Sequence, residues 1–306
     1  MRALALDRAT AGVVEALRDA GIPSLLLKGA STARWIYKDE SVRTYADVDL
    51  LVPPEHLVDA ESLLDGVGFR RIGFESIPHD WPKHAVALTN EQGLAIDLHR
   101  TFLGVGASDD RLWAEMNAGA ESMELGGGRV RVPSEPGRAF VLAAHAAKDG
   151  ALASQVRRDL DRATEVVADS VWREALAMAE RLDAIPSFAA GLRRTERGSE
   201  LADRLELPRT STVQLALRDT PPPPLAVGID WLLSGAGSHR FAVVARKLFP
   251  PREFMLAWSP LARRGTLGLA LAYAGRPFWV ISRAVPAYLA VRRARRSDRA
   301  RPGSPP

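Results

Sequence analysis

The run Tyr45-Ala46-Asp47-Val48-Asp49-Leu50-Leu51-Val52 places two carboxylates one residue apart at the head of an apolar, strand-forming stretch. Side chains alternate along a strand, so Asp47 and Asp49 project from one face while Val48, Leu50 and Val52 enter the other. The chain must therefore build a sheet whose apolar face is covered and whose acidic face tolerates two like charges. A divalent cation between them is the usual remedy. A third acid, Asp97 in Leu94-Ala95-Ile96-Asp97-Leu98-His99, lies in a similar run, and the three together read as a metal site for phosphate chemistry.

The segments around these runs predict a mixed α/β unit. Residues 3 to 20 have helical spacing and stop at Gly21; Ser24-Leu25-Leu26-Leu27 reads as a short buried strand ending in Lys28-Gly29-Ala30-Ser31. Ala33 to Tyr37 opens a second helix, and residues 55 to 66 form a third after Pro53-Pro54. His84 to Thr89 and Leu94 to His99 are strand-like, and Asn90-Glu91-Gln92-Gly93 between them predicts an antiparallel hairpin.

Past residue 110 the pattern turns helical, over 137 to 150, 153 to 168 and 170 to 184, with a short strand at Arg129 to Val132. Residues 205 to 225 look irregular and end in four prolines, and 226 to 250 look helical. The expected division is a catalytic domain over 1–130, a helical domain over 131–290 that helps form an acceptor pocket, and a basic disordered tail over 291–306. That tail carries six arginines against Asp298, so the net charge of +4 leaves the body near neutral. Such a body does not predict a nucleic-acid-binding surface.

Leu267 to Val291 is the most apolar stretch, but Arg276, Pro277, Arg283 and Pro286 interrupt it, which argues against a spanning helix. Docking on the core is the preferred reading. An interfacial helix backed by Arg292, Arg293, Arg295 and Arg296, making peripheral membrane contact, is the alternative. With no cysteine, disulfides and thiolate metal sites are excluded, and the N-terminus lacks the apolar core of a signal peptide. The cytoplasm is the expected compartment.

Nucleotidyl transfer needs an electrophilic α-phosphate and a deprotonated acceptor oxygen, which two metals roughly 3.5–4 Å apart can supply. Asp47 and Asp49 are expected to bridge them. Asp97 is expected to complete the nucleophile-side metal and to act as, or orient, the general base. Hard oxygen ligands favour Mg²⁺ over zinc and admit Mn²⁺. Lys28, Gly29 and Ser31 form the candidate nucleotide-binding loop between strand and helix. Arg43 either reaches a triphosphate or pairs with Asp39 or Glu40. His99, two residues beyond Asp97, either orients that acid or is a satisfied strand histidine; Lys83 and His84 are candidates for the site mouth. His145, Lys148 and Asp159 lie on helical stretches, where surface ion pairs are the default.

These residues carry a resemblance. Leu26-Leu27-Lys28-Gly29-Ala30, Arg43 four residues before Asp47, the Asp47-to-Val52 run, Ile96-Asp97-Leu98-His99 and His84 resemble the nucleotidyltransferase superfamily with the DNA polymerase β-like fold. Within it, the chain looks most like the bacterial family of uncharacterised nucleotidyltransferases. The resemblance covers residues 20 to 105 well and the region of His145, Lys148 and Asp159 loosely. It departs where Ala30 separates Gly29 from Ser31, since the superfamily usually has Gly-Ser or Gly-Gly there. It implies an α/β (α+β) domain with a mixed sheet plus a C-terminal helical domain. It also implies Mg²⁺-dependent transfer of an NMP group from an NTP, with ATP the expected donor. The acceptor is not implied; a small molecule is favoured over RNA or protein. The alternative is a non-catalytic nucleotide- or partner-binding module, associated with a membrane surface.

Overall fold

The computed structural model of the chain describes residues 2–37, 43–72, 84–149, 154–209, 212–219, 223, 225–233 and 240–299. Lys83, Asp39, Glu40 and residues 300–306 of the expected tail lie outside them.

Helix α1 (Arg2–Asp19) buries Val13, Val14 and Leu17. It ends because Gly21 takes φ 75°, letting the Ile22 N–H reach the Leu17 carbonyl at 2.9 Å and the Gly21 N–H reach that of Arg18 at 2.9 Å. The paired bonds satisfy carbonyls that the helix leaves open, and Ile22 and Leu17 join the same core cluster. Strand β1 (Leu25–Leu26), helix α2 (Ala30–Ile36), strand β2 (Asp47–Leu51), helix α3 (Leu57–Gly66) and strand β3 (Arg70–Arg71) follow. Strands β4 (Ala85–Thr89) and β5 (Ala95–His99) form the expected hairpin: Gly93 turns at φ 77°, and the Asn90 side-chain oxygen accepts from the Leu94 N–H at 2.9 Å.

The sheet order is β1-β2-β5-β4-β3, with β2 and β5 parallel and the other pairs antiparallel. It is the mixed sheet that the resemblance implies. One face, through Leu26, Val48, Leu50, Ile96 and Leu98, packs in a core with α1 and α3. The other face supplies Leu25, Leu27 and Leu51 to a second core built by the helices that follow.

Those helices come after α4 (Asp109–Asn117) and a hairpin of β6 (Glu121–Leu125) and β7 (Gly128–Val132). They are α5 (Glu135–Asp149), α6 (Ser154–Val166), α7 (Asp169–Arg181), α8 (Ile185–Leu192) and α9 (Glu196–Arg204). The expected division at 130 falls inside this unit, which extends through the described residues up to 209. The reason is packing: Phe140, Leu160 and Phe188 share one core with Leu27 and Leu51 of the sheet.

The described residues from 212 onward form a second unit. The expected irregular stretch contains α10 (Val213–Asp219), and the described residues of the expected 226–250 helix include the helical spans α11 (Ala226–Leu233) and α12 (Arg240–Leu248). Then come α13 (Arg252–Trp258) and α14 (Gly265–Arg299). Helix α14 therefore continues through 291–299, where a disordered tail is expected; Val291, fully buried, docks there beside Ala287 and Leu217. Among the described residues no helix is long and apolar enough to cross a membrane.

Candidate active site

The alternation of β2 sends Asp47 and Asp49 to the sheet face that packs under α5 and α6, beside Leu51. Because β5 runs parallel in register, Asp97 lies opposite Asp49, and His99 opposite Leu51. One ligand atom from each of Asp49, Asp97 and His99 falls within 4.8 Å of the others. Asp47 shares the face but is not part of that close group; it stands at the exposed start of the strand.

Asp49 is 2 % exposed and doubly held: Lys28 Nζ lies 2.9 Å from its Oδ1, and His99 Nε2 lies 2.9 Å from the same oxygen. Burial alone would raise its pKa, but the hydrogen bond from His99 and the charge of Lys28 hold it well below the usual carboxylate range. Asp47 moves the opposite way. Although Asp47 reaches solvent, crowding by the surrounding site partly desolvates its carboxyl and raises it first, and the neighbouring charges of Asp49 and Asp97 add to the rise, against Lys28. Three carboxylates in each other's field, with Asp47 already disfavoured as an anion, form a donor set suited to a hard divalent cation. The buried Nδ1 of His99 has no hydrogen-bond partner among the described residues. Asp49, Asp97 and His99 thus form a potential metal site, with Asp47 beside it.

Lys28 has a second neighbour that local spacing does not reveal. Its Nζ lies 3.1 Å from His145 Nε2, on α5. Burial and the Lys28 charge hold His145 down to about 3, so the imidazole is neutral and accepts from the ammonium.

Arg43 is neither exposed nor paired with a neighbour in sequence. Its Nε and Nη2 bind Asp159 Oδ2 at 2.9 and 2.8 Å, and its Nη1 donates to the Gly29 carbonyl at 3.0 Å. Asp159, on α6, also accepts from Tyr37 at 2.9 Å and Gln155 at 2.8 Å. Burial, with the Asp159 charge, pushes the Tyr37 hydroxyl up to about 12. Asp159 is thus 2 % exposed and central to a network, not a surface acid. The signal for it was available: Asp159 shares a buried helix face with Leu160 and Ala163.

Gly29 sits at φ 66° and ψ −116°, a conformation that disfavours a side chain, and a Cβ there would lie 3.5 Å from the Tyr45 ring. Ser31 is fully buried and its Oγ has no partner among the described residues. Thr32, itself only 5 % exposed, instead borders a cavity of about 480 Å³ walled by Lys28, Gly29, Asp47, Asp49, His145 and Asp159 among others. Asp97 is not on that wall. His84 lines a small hollow on another side of Lys28, with His99 and Lys148, and its carbonyl accepts from the Arg100 N–H at 3.1 Å.

A family model described as uncharacterised nucleotidyltransferase matches residues 1–207. The chain belongs to this family. The matched stretch takes in both the five-stranded sheet and the helices through α9, so the family's domain and the first compact unit nearly coincide. Solved structures align with it at low identity. A solution structure of the antibiotic-resistance factor ANT(2'')-Ia matches at 14 % identity and TM-score 0.40, over 55 % of this chain and 88 % of that one. A crystal structure of ANT(2'')-Ia in complex with adenylyl-2''-tobramycin matches at 15 % and 0.39, over 55 % and 94 %. An antigenic nucleotidyltransferase-like protein from Paracoccidioides brasiliensis matches at 14 % and 0.35, over 60 % and 92 %. No curated protein matches the chain.

Proposed function

We propose that the protein transfers an NMP group from an NTP, with ATP as the donor, to an acceptor hydroxyl or phosphate. The observation that carries this reading is the in-register opposition of Asp49 and Asp97 on parallel strands, beside Lys28 on the wall of a cavity. In the reaction the acceptor oxygen forms a bond to the α-phosphorus, the bond from that phosphorus to the bridging oxygen breaks, and pyrophosphate leaves. Mg²⁺ held by Asp47, Asp49 and Asp97, with His99 beside them, would neutralise the triphosphate and make the α-phosphorus more electrophilic.

The chain's own groups do the rest. Asp97 takes or orients the proton leaving the acceptor, a role favoured by its position next to a carboxylate that stays ionised. Lys28, once released from Asp49, offers its ammonium to phosphate oxygens, while neutral His145 accepts one of its protons. The strained turn at Gly29 lets a phosphate approach the backbone, and Thr32 replaces Ser31 as the hydroxyl donor available to it. Arg43 is a positioning residue in this scheme. Its guanidinium uses all three of its nitrogens within the protein and ties the Gly29 carbonyl to α6. A small molecule is the acceptor that suits a cavity of this size in a body of near-neutral charge.

A second reading is supported by Lys28, whose ammonium already neutralises Asp49, and by Asp97's absence from the cavity wall. In it the chain is a nucleotide-binding module without turnover. Labelled ATP, Mg²⁺ and a panel of small hydroxylic acceptors separate the two. Mg²⁺-dependent pyrophosphate release that Asp49→Asn abolishes supports transfer, whereas calorimetric ATP binding with no release across the panel supports the module.

A further inference from the structure

Helix α14 has two apolar faces, and only one is used. Its inward face docks on α10 to α13: Ala272 packs with Met255 and Ala262, and Ala287 and Val291 pack with Leu217 and Ala226. On that face Arg276 is 96 % enclosed (4 % exposed) and lies over Trp258 and Trp279 at 4.4 and 4.5 Å, its Nε donating to the Lys247 carbonyl at 3.3 Å. The opposite face repeats at steps of three and four residues through Leu267, Leu271, Phe278, Ile281, Val285 and Tyr288, with Ala274 filling the remaining step. Those six side chains are between 45 % and 76 % exposed. Contiguous apolar surface of this kind marks an interaction site.

Charge decides what covers it. The same stripe continues one turn further as exposed Arg292 and then Arg296. From Gly265 to Ser297 the helix carries no carboxylate at all; Asp298 is its single acid. A second copy of α14 would bring no acidic partner along that length to these arginines, as helix pairing by flanking charges requires. An acidic lipid surface supplies both a layer for the apolar side chains and negative charge for the arginines. Since the helix, though long, is not apolar enough to cross, it would lie in the plane of the surface.

We propose that the outward face of α14 seats the protein on an anionic lipid bilayer. The site lies outside the family-matched stretch, so it stands or falls independently of the nucleotidyl-transfer reading. The test is co-sedimentation of the full chain with vesicles of phosphatidylcholine mixed with phosphatidylglycerol, against vesicles of phosphatidylcholine alone. The wild type should bind the mixed vesicles, with binding weakened by salt. Ile281→Ser with Val285→Ser, which removes apolar surface without adding repulsion, should lower the partition coefficient at least about tenfold with an unchanged circular dichroism spectrum. Arg292→Gln and Arg296→Gln should each lower it about fivefold. The proposal is overturned if the wild type stays in the supernatant, or if the double serine variant binds as the wild type does. It is also overturned if the wild type is a dimer without lipid affinity that the serine variant converts to monomer, which would assign the face to a second copy.

Discussion

Asp49 and Asp97 face each other across the parallel pair β2–β5, although 48 positions separate them in the chain. Parallel register puts their carboxylates on one sheet face, and the shared Lys28 and His99 contacts make Asp49 the buried member of the pair. The two acids should therefore respond differently to the same isosteric change.

For Asp97→Asn we expect at least about a 100-fold loss of Mg²⁺-dependent pyrophosphate release, with little change in stability, since the group is only half-buried. Asp49→Asn should lose activity as severely and also destabilise the fold by about 3 kcal/mol, because it leaves the Lys28 ammonium without its counter-charge. Urea unfolding beside a pyrophosphate-release assay reads both. Equal stability of the two variants would contradict the assignment of Asp49 as the buried partner.

Arg43 and Asp159 form a buried ion pair, and removing one partner strands the other. Arg43→Ala should cost about 3 kcal/mol of stability in urea unfolding. If Arg43 instead touched the triphosphate, Arg43→Lys would mainly raise the KM for ATP and leave the unfolding midpoint unchanged.

Gly29→Ala forces a Cβ into φ 66° with ordinary contact distance to Tyr45, so backbone conformation and not overlap sets the cost. We expect a loss of about 1–2 kcal/mol, seen as a lowered unfolding midpoint. Thr32→Val should leave stability near wild type and raise the KM for ATP several-fold, whereas Ser31→Ala should leave the KM unchanged.

His145 links stability to pH. In the unfolded chain its imidazole takes up a proton near 6.5, while in the folded chain it resists protonation down to about 3. Below pH 6.5 the unfolded state thus binds more protons, and stability falls as pH drops from about 6.5 toward 3, by up to roughly 1.4 kcal/mol per pH unit from this group. In metal-free buffer, urea unfolding between pH 7 and 5 should show a slope that His145→Gln reduces. An unchanged slope in that variant would place the proton elsewhere.

Local periodicity was enough for much of this protein. The two-residue alternation of Asp47-Val48-Asp49-Leu50 set which side chains share a face, and Asn90 to Gly93 set the hairpin that brings β5 back into the sheet. Those rules act between neighbours, so they can be read from spacing alone. The partners of Arg43 and Lys28, by contrast, lie 116 and 117 residues away, on α6 and α5. Only packing of the helices over the sheet brings Asp159 and His145 to the site. The same packing encloses Ser31 and leaves Thr32 bordering the cavity, and in the second unit α14 presents one apolar stripe to its own neighbours and leaves another exposed. The sequence by itself determined the acids, their face and the family. Tertiary structure decided which charges pair and which apolar faces stay open, because burial and long-range contact depend on the whole assembled core and not on any local repeat.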